Sequence, residues 1–376
     1  MRVLDNDYGK KIRKGYLKRY KGKIMKKKLC LLVVVLMLCA CHKSNQEPQQ
    51  KEVIQKEDFQ FQTVQTPYIY VRSPVVFEDT VYMAVADDKD EELDLNHLVE
   101  LNLKTNETIN LFDTEHEYGN IQGLAVNKDW LLFHDMDLWG VKDNIWFMNR
   151  KTKEMKKINQ IATEAPSFTV PILIDDYIIW NEEEKFVDGK IKGSIYIYNC
   201  RTNEKKRIAE MEEMGVHNYL IRHNGYKLLW SDTKDNQSYY HIYDMKTESL
   251  KLIPTTRQYA MHPILLDNYI VSDEFDKEKL PRLMVYNIHT GQHKAYSGVM
   301  NGYYPYHNLV IGSNGEEANA YSVQEDLTLK EEHAFKLYES SSLTDDYCIV
   351  DESVIFIKKN NQGTMLYILI NDNVDF

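Results

Sequence analysis

One short turn recurs along this 376-residue chain and limits what it can fold into. In Ile195-Tyr-Ile-Tyr-Asn199-Cys-Arg-Thr202-Asn-Glu-Lys-Lys-Arg-Ile208, an apolar and aromatic strand runs into a polar bend marked by Asn199 and Thr202, and a second strand returns. Asn102…Thr105, Asn149…Thr152, Asp244…Thr247 and Asn287…Thr290 repeat the bend after runs such as Leu98-Val-Glu-Leu and Leu283-Met-Val-Tyr286. The five threonines stand 43 to 50 residues apart. Strand-turn-strand units at such a period predict an all-β β-propeller, whose blades are four-stranded sheets.

A second mark accompanies the first. An acidic or amide pair precedes an apolar strand at Glu78-Asp79, Lys128-Asp129, Asp175-Asp176, Asn224-Gly225, Asp267-Asn268, His307-Asn308 and Asp345-Asp346. Such pairs tolerate the positive φ of tight hairpin turns. Seven copies predict seven four-stranded blades, with six or eight left open by the weak sixth and seventh repeats. In the third repeat the strands read as 169–174, 177–181, 194–199 and 205–209. The alternating stretch Phe59–Val64 precedes the first repeat. It is expected to join the last blade and close the ring, unless Thr364–Ile370 supplies that blade's own fourth strand.

The N-terminal region reads as an address. Met25-Lys-Lys-Lys28 opens a basic segment, Leu29–Leu38 is apolar, and Leu38-Cys39-Ala40-Cys41 follows. This pattern resembles the bacterial lipoprotein signal peptide, which implies lipidation of Cys41 as the mature N-terminus. A transmembrane helix competes, but the apolar run is half of the ~20 residues a span needs. Residues 1–24 read as sequence upstream of a true start at Met25, which makes 1–40 a signal peptide with an over-extended N-terminus. Residues 41–58 form a lipidated cysteine and a polar, Gln-rich tether, and 59–376 form the propeller. The expected location is extracytoplasmic, on the bacterial cell membrane through acyl chains. Residues 1–40 hold 12 of the 46 basic residues and 2 of the 57 acidic ones, so the remainder is strongly acidic. A surface of that sign repels phosphate backbones, and no nucleic-acid partner is expected.

The loops joining second to third strands read as long and acidic, at Asp87–Asn96, Asn181–Gly193, Ser231–Tyr239 and Ser272–Pro281. No cofactor is expected. The first of these loops is where calcium or another divalent cation would sit, although it lacks the glycine and the twelfth-position glutamate of a calcium loop. His217 and His262 fall just before the first strands of blades four and five, and Tyr304 before that of blade six, near Tyr303 and Tyr306. Tyr259, Tyr118 and Trp139 occupy comparable loops, and Arg222 and Arg257 lie close by. His217, Arg222, Tyr259, His262 and Tyr304 are therefore the candidate ligand-binding residues at the channel mouth. The competing reading is that they cap the channel and satisfy one another. No nucleophile elbow, zinc-protease helix, phosphate loop or dinucleotide fingerprint occurs.

The hairpin with its Asn-x-Lys/Arg-Thr turn resembles the TolB-like propeller group and related domains of bacterial surface lipoproteins, over residues 60–370. The Ser-Pro-Asp-Gly turn of that group is replaced here by Asp-Asp or Asp-Asn. The resemblance implies a binding or scaffolding module, and no functional residue carries over from it. The expectation is a lipoprotein whose propeller binds a protein or glycan partner without catalysis. The alternative is a propeller enzyme of polysaccharide lyase or glycosidase type, using His217 and His262 at the channel mouth.

Overall fold

Each recurrent turn closes on its own first side chain. Oδ1 of Asn102, Asn149, Asn199, Asp244 or Asn287 accepts the backbone N–H groups two and three residues later, at 2.8–3.1 Å. The fifth residue of each turn (Asn106, Lys153, Asn203, Glu248, Gly291) then adopts φ between 54° and 73°. An Asx turn ending in a left-handed residue reverses a strand tightly. The residue after the Asx also donates its N–H to the neighbouring turn of its own sheet, as Leu103 does to the Asp79 carbonyl at 2.8 Å.

The computed structural model describes residues 61–369 apart from 87–94, 117, 138–141, 163–169, 188–189, 215–219, 277–279, 297–302, 314–317, 336–345, 351–352 and 361–362. Residues 1–58, with Cys41 and the tether, lie outside the described residues, as do His217, Trp139 and most of the acidic segment Asp87–Asn96. Every described element is a strand. After β1 (Phe61–Thr66), blade one is β2 (Tyr70–Phe77), β3 (Thr80–Ala86), β4 (His97–Asn102) and β5 (Thr108–Asp113). Blade two is β6 (Gly119–Val126), β7 (Trp130–Asp137), β8 (Lys142–Asn149) and β9 (Met155–Ala162). Blade three is β10 (Ile172–Ile174), β11 (Tyr177–Val187), β12 (Lys190–Asn199) and β13 (Lys205–Met214). Blade four is β14 (Arg222–Asn224), β15 (Lys227–Lys234), β16 (Gln237–Asp244) and β17 (Ser249–Pro254). Blade five is β18 (Tyr259–Leu265), β19 (Tyr269–Phe275), β20 (Arg282–Asn287) and β21 (His293–Tyr296). Blade six is β22 (Tyr303–Tyr306), β23 (Leu309–Ser313), β24 (Ala318–Val323) and β25 (Leu329–Phe335). Blade seven is β26 (Asp346–Val350), β27 (Ser353–Asn360) and β28 (Gly363–Leu369), completed by β1 on its outer edge. The fold is thus a seven-bladed propeller of antiparallel four-stranded sheets.

The apolar faces explain why the blades must pack in series. Along β15, Leu228 and Trp230 join the core shared with blade three, whereas Leu229 joins the core shared with blade five. In β18, Ile264 packs toward blade six and Leu265 toward blade four. Successive strand residues point to opposite faces, so a sheet buried on both faces needs an unbroken apolar run. Trp130–Phe133, Ile178–Trp180 and Leu228–Trp230 are such runs, and all are buried.

Closure places the N-terminal strand against the C-terminal one, with register from Phe61↔Leu369 to Thr66↔Thr364. Thr66 Oγ1 donates to the Thr364 carbonyl at 3.1 Å, and Thr364 Oγ1 donates to the Ile69 carbonyl at 2.8 Å. Val64 joins Ile355, Ile357, Leu366 and Ile368 in a core shared with blade one. The expected clasp therefore exists and runs two residues further than Val64, to Thr66; residues 59 and 60 lie outside the described residues. Thr364–Ile370 is not a fourth strand, since Gly363–Leu369 is the third strand to which β1 pairs.

Two further expectations change. Asp345-Asp346 is not the turn between the first two strands of blade seven, because Asp346 begins β26 and Val350 pairs with Ser353. Val350↔Ser353 ends the ladder between β26 and β27, and the sequence between them, Asp351-Glu352, has the same acidic character. The segments 181–193 and 231–239 are not long loops. They are strand extensions in which β11 pairs with β12 out to Val187↔Lys190, and Lys234 pairs with Gln237 across Asp235-Asn236. Asp235 and Asn236 both have positive φ, the two-residue turn whose twist matches the strands.

Gly363 opens β28 at φ 133°, and a side chain there would run into the Thr66 carbonyl oxygen. Gly363→Ala is expected to weaken the clasp and destabilise the protein by about 3 kcal/mol. A thermal melt indistinguishable from the wild-type protein would show that closure does not depend on this contact.

Candidate binding site in the channel

The first strand of each blade lies innermost, and pairing with the second strand sets a common level around the axis. Val75↔Tyr82, Ala125↔Leu132, Ile172↔Ile179, Arg222↔Leu229, Ile264↔Val271, Tyr304↔Ile311 and Cys348↔Ile355 are equivalent pairs. The innermost residues of this layer are small or apolar except Arg222 in blade four and Tyr304 in blade six. The Arg222 guanidinium lies 5.8 Å from the centroid of the Tyr304 ring. Blade five stands between these two blades. A side chain of blade four can meet a ring of blade six only by crossing the axial space inside it, so Arg222 and Tyr304 meet in the channel.

Two polar layers back this contact, and both come from the second strands. Counting from the turn that opens each second strand, Asp135, Glu182, Asp232 and Glu274 are equivalent, and so are His134, Asn181, Ser231 and Asp273. The first group faces the preceding blade. Asp135 accepts from Thr114 Oγ1 at 2.6 Å and the Glu115 N–H at 3.1 Å. Asp232 accepts from the Glu212 and Glu213 N–H groups at 2.8 and 3.1 Å. Glu274 accepts from the Thr256 N–H at 2.9 Å, from Tyr240 at 2.8 Å and from Tyr286. Asp135, Asp232 and Glu274 each fix the segment entering their blade by satisfying its donors, whereas Glu182 accepts from Trp180 Nε1 and Lys205 Nζ of its own blade.

The second group faces the following blade. Ser231 Oγ donates to the Ala260 carbonyl at 3.2 Å. Asp273 receives the Tyr303 hydroxyl, which also lies 3.3 Å from the Met261 carbonyl. Burial pushes the Asp273 carboxyl up to about 6, with the Tyr303 hydrogen bond pulling the other way. Burial likewise pushes Asp232 up to about 6, against the pull of its three backbone donors. Burial holds the Tyr303 phenol well above its ordinary range. Asp273 Oδ1 has no protein hydrogen-bond partner among the described residues.

The sequence candidates distribute unevenly over this site. Arg222 and Tyr304 come together, with Tyr303 and Asp273 directly behind them. Tyr259 and His262 both lie on β18, so His262 does not precede that strand. Tyr304 likewise sits inside β22. His262 occupies a bulge between Met261 and Ile264 at φ 50°. Blades one and two carry the same bulge at Ser73 (φ 49°) and Gly123 (φ 60°), so this backbone is a feature of the fold. Tyr259 stacks on Phe275 with centroids 5.3 Å apart. Arg257 is committed to the Leu280 carbonyl at 3.0 Å, and Tyr118 is half exposed in its loop.

Sequence reasoning missed Asp273 and a polar cluster in blade two. There His134 meets Asp143, both fully buried, and His116 lies 3.7 Å from Asp135 and 3.2 Å from Asn144. Burial pushes His134 down to about 4, which keeps it neutral. The signal was visible as a polar pair (His134-Asp135, Ser231-Asp232 or Asp273-Glu274) ending each apolar second-strand run. No group of three His, Cys, Asp or Glu side chains among the described residues is arranged to hold a metal ion.

No family model and no curated protein sequence matches the chain. Among solved structures it is similar to an oligogalacturonate lyase from Vibrio parahaemolyticus at 12% identity and a TM-score of 0.53, over 83% of this chain and 97% of that one. It is similar to an acylaminoacyl peptidase at 12% identity and a TM-score of 0.54, over 81% of this chain and 51% of that one. TolB from Acinetobacter baumannii matches at 10% identity and a TM-score of 0.41, over 73% of this chain and 60% of that one. The chain thus spans about half of the peptidase and 60% of TolB. At these identities the likeness shows the propeller fold alone.

The raised Asp273 carboxyl makes stability pH-dependent with a definite sign. Below about 4 it is protonated in both folded and unfolded chains; as pH rises through 4 to 6 the unfolded chain loses its proton first, and stability falls. The two-unit shift corresponds to roughly 3 kcal/mol at most. Asp273→Asn is expected to remove about half of the slope between pH 4 and 6, leaving the comparable contribution of Asp232. Denaturant melts at several pH values that keep the wild-type slope in the variant would refute this.

Proposed function

We propose that the protein is a membrane-anchored extracytoplasmic lipoprotein whose propeller binds a protein or glycan partner in and around its channel, without catalysis. The observation that carries this reading is the Arg222–Tyr304 contact across the axial space. A cation held against an aromatic face recognises charge and flat surface; it is not a proton-transfer pair. The bulge shared by Ser73, Gly123 and His262 favours the same reading, since the unusual backbone at His262 has a structural cause. The anchor rests on the sequence before Cys41.

Two measurements test the proposal on the full chain. Cys41→Ser is expected to move the protein from the membrane pellet to the soluble fraction and abolish labelling by a fatty-acid analogue; unchanged fractionation would remove the anchor from the proposal. Detergent-solubilised protein is expected to retain a glycan or protein ligand on an array or in a pull-down. The ligand should be lost from a Tyr304→Ala, Tyr259→Ala double variant that still melts cooperatively. A ligand held equally by that variant sits elsewhere on the propeller.

A further inference from the structure

The seam between blades five and six differs from its neighbours at one level. Gly312 occupies in blade six the position that Phe133, Trp180 and Trp230 fill in blades two, three and four, where each ring is buried against the preceding blade. Strand pairing sets Tyr303 and Asn319 on either side of Gly312. Opposite residues of an antiparallel pair share a face, so all three look toward blade five. Tyr321, two residues after Asn319, packs there on the cluster that contains Val271, Leu283 and Val285, and Asn319 Nδ2 donates to its hydroxyl at 3.2 Å. At this level the seam is closed by Tyr303 and polar groups in place of an indole or phenyl ring.

Two of those polar groups lack a donor. Asp273 faces the seam from blade five, where Tyr303 donates to it, and Asn319 faces it from blade six. Asp273 is 5% exposed and Asn319 3%, and Oδ1 of each has no hydrogen-bond partner among the described residues. The titratable groups around Asp273 are Tyr303, Tyr321 behind Asn319, and His262 beside Met261, the partner of Asp273 in β18. Arg222 acts on Tyr303 from the channel, and no basic side chain among the described residues pairs with Asp273. A buried carboxylate without a counter-charge, in a seam with a second acceptor that has no donor, is short of one hydrogen. We propose that the five–six seam is a proton-operated closure of the channel wall, shut when Asp273 carries a proton that it donates to Asn319, directly or through one water, and loosened when that proton leaves for solvent. The other Asp273 oxygen keeps the Tyr303 hydroxyl. β22 carries both Tyr303 and Tyr304 within its four residues, so loosening the seam releases the channel wall at the Arg222–Tyr304 level. The direction follows from burial. The closed seam holds the proton up to about pH 6, whereas an opened, hydrated carboxyl loses it near its ordinary 3.8. Closure is therefore complete below about 4 and weakens as pH rises through about 6. It goes beyond the binding reading and does not require it.

Hydrogen exchange on the full chain in detergent tests the closure. After correction for the intrinsic pH dependence of exchange, the amides of 303–312 are expected to open about tenfold more often at pH 7 than at pH 5. Asp273→Asn supplies an N–H in place of the proton, so its seam should be as protected at pH 7 as the wild-type seam is at pH 5. Asp273→Leu removes the charge without supplying a donor and should fall short of Asp273→Asn by about fivefold. That difference should vanish in an Asn319→Leu background, which has no acceptor to satisfy. Equal protection in the Asn and Leu variants of Asp273, in both backgrounds, overturns the shared proton. Exchange of 303–312 in the wild-type chain that ignores pH overturns the closure without any variant having to fold, and so does a pH effect spread uniformly over all seven blades. A pH-dependent seam in a chain that retains no array or pull-down ligand supports the closure and counts only against the binding reading.

Discussion

Two-faced burial is the constraint on which this fold depends. Each second and third strand sends alternate side chains to opposite neighbours, as Leu228 and Leu229 do within two residues. A four-stranded sheet with both faces apolar cannot exist alone in water, and stacking in a line would leave two faces wet. A closed ring is the arrangement that leaves none. The pairing of β1 with β28 is therefore the step that completes every other interface, because it turns the last open face toward the first blade.

Within the ring, polar groups do the aligning. The pleat of the second strand separates two consecutive side chains, one reaching back and one reaching forward. Asp232 reaches back to the amides of Glu212 and Glu213, and Ser231 reaches forward to the carbonyl of Ala260. Apolar contact alone would let blades slide against each other, since burial has no direction. Hydrogen bonds to backbone groups of both neighbours fix the register between sheets. On the opposite end of the blades, Asp267 and Asn308 exchange hydrogen bonds at 2.8 and 3.0 Å, and Asn127 donates to the Asp175 carbonyl. The channel is thus walled by strands held at both ends, which keeps Arg222 and Tyr304 at a constant level.

Much of this was legible in the sequence because turns are local. Asn102, Asn149, Asn199, Asp244 and Asn287 each close a bend using only the next few residues, so the pattern survives in one dimension. The blade number followed from the seven acidic or amide pairs, and the N-terminal clasp from the alternation of Phe59–Val64. Boundaries failed where composition was ambiguous. Asp345-Asp346 and Asp351-Glu352 are equally acidic, and only strand pairing separates a strand start from a turn. Polar stretches such as 231–239 read as loops although they continue the hairpin, because an extended ladder needs backbone partners more than apolar side chains. The channel contact was the least legible part. Arg222 and Tyr304 were both singled out, but their meeting depends on two blades separated by a third.

The clasp also sets an order in time. A ribosome delivers Thr66 some 298 residues ahead of Thr364, to which it binds. Six blades can collapse as they emerge, each on the one before it, but the seam cannot seal until the final strand has left the exit tunnel. Contacts so distant along the chain are entropically slow to form. The half-made ring must keep the flanks of its first and newest blades from sticking to other molecules throughout that interval, so synthesis speed and chaperone cover bear on the yield of this protein as directly as its final stability does.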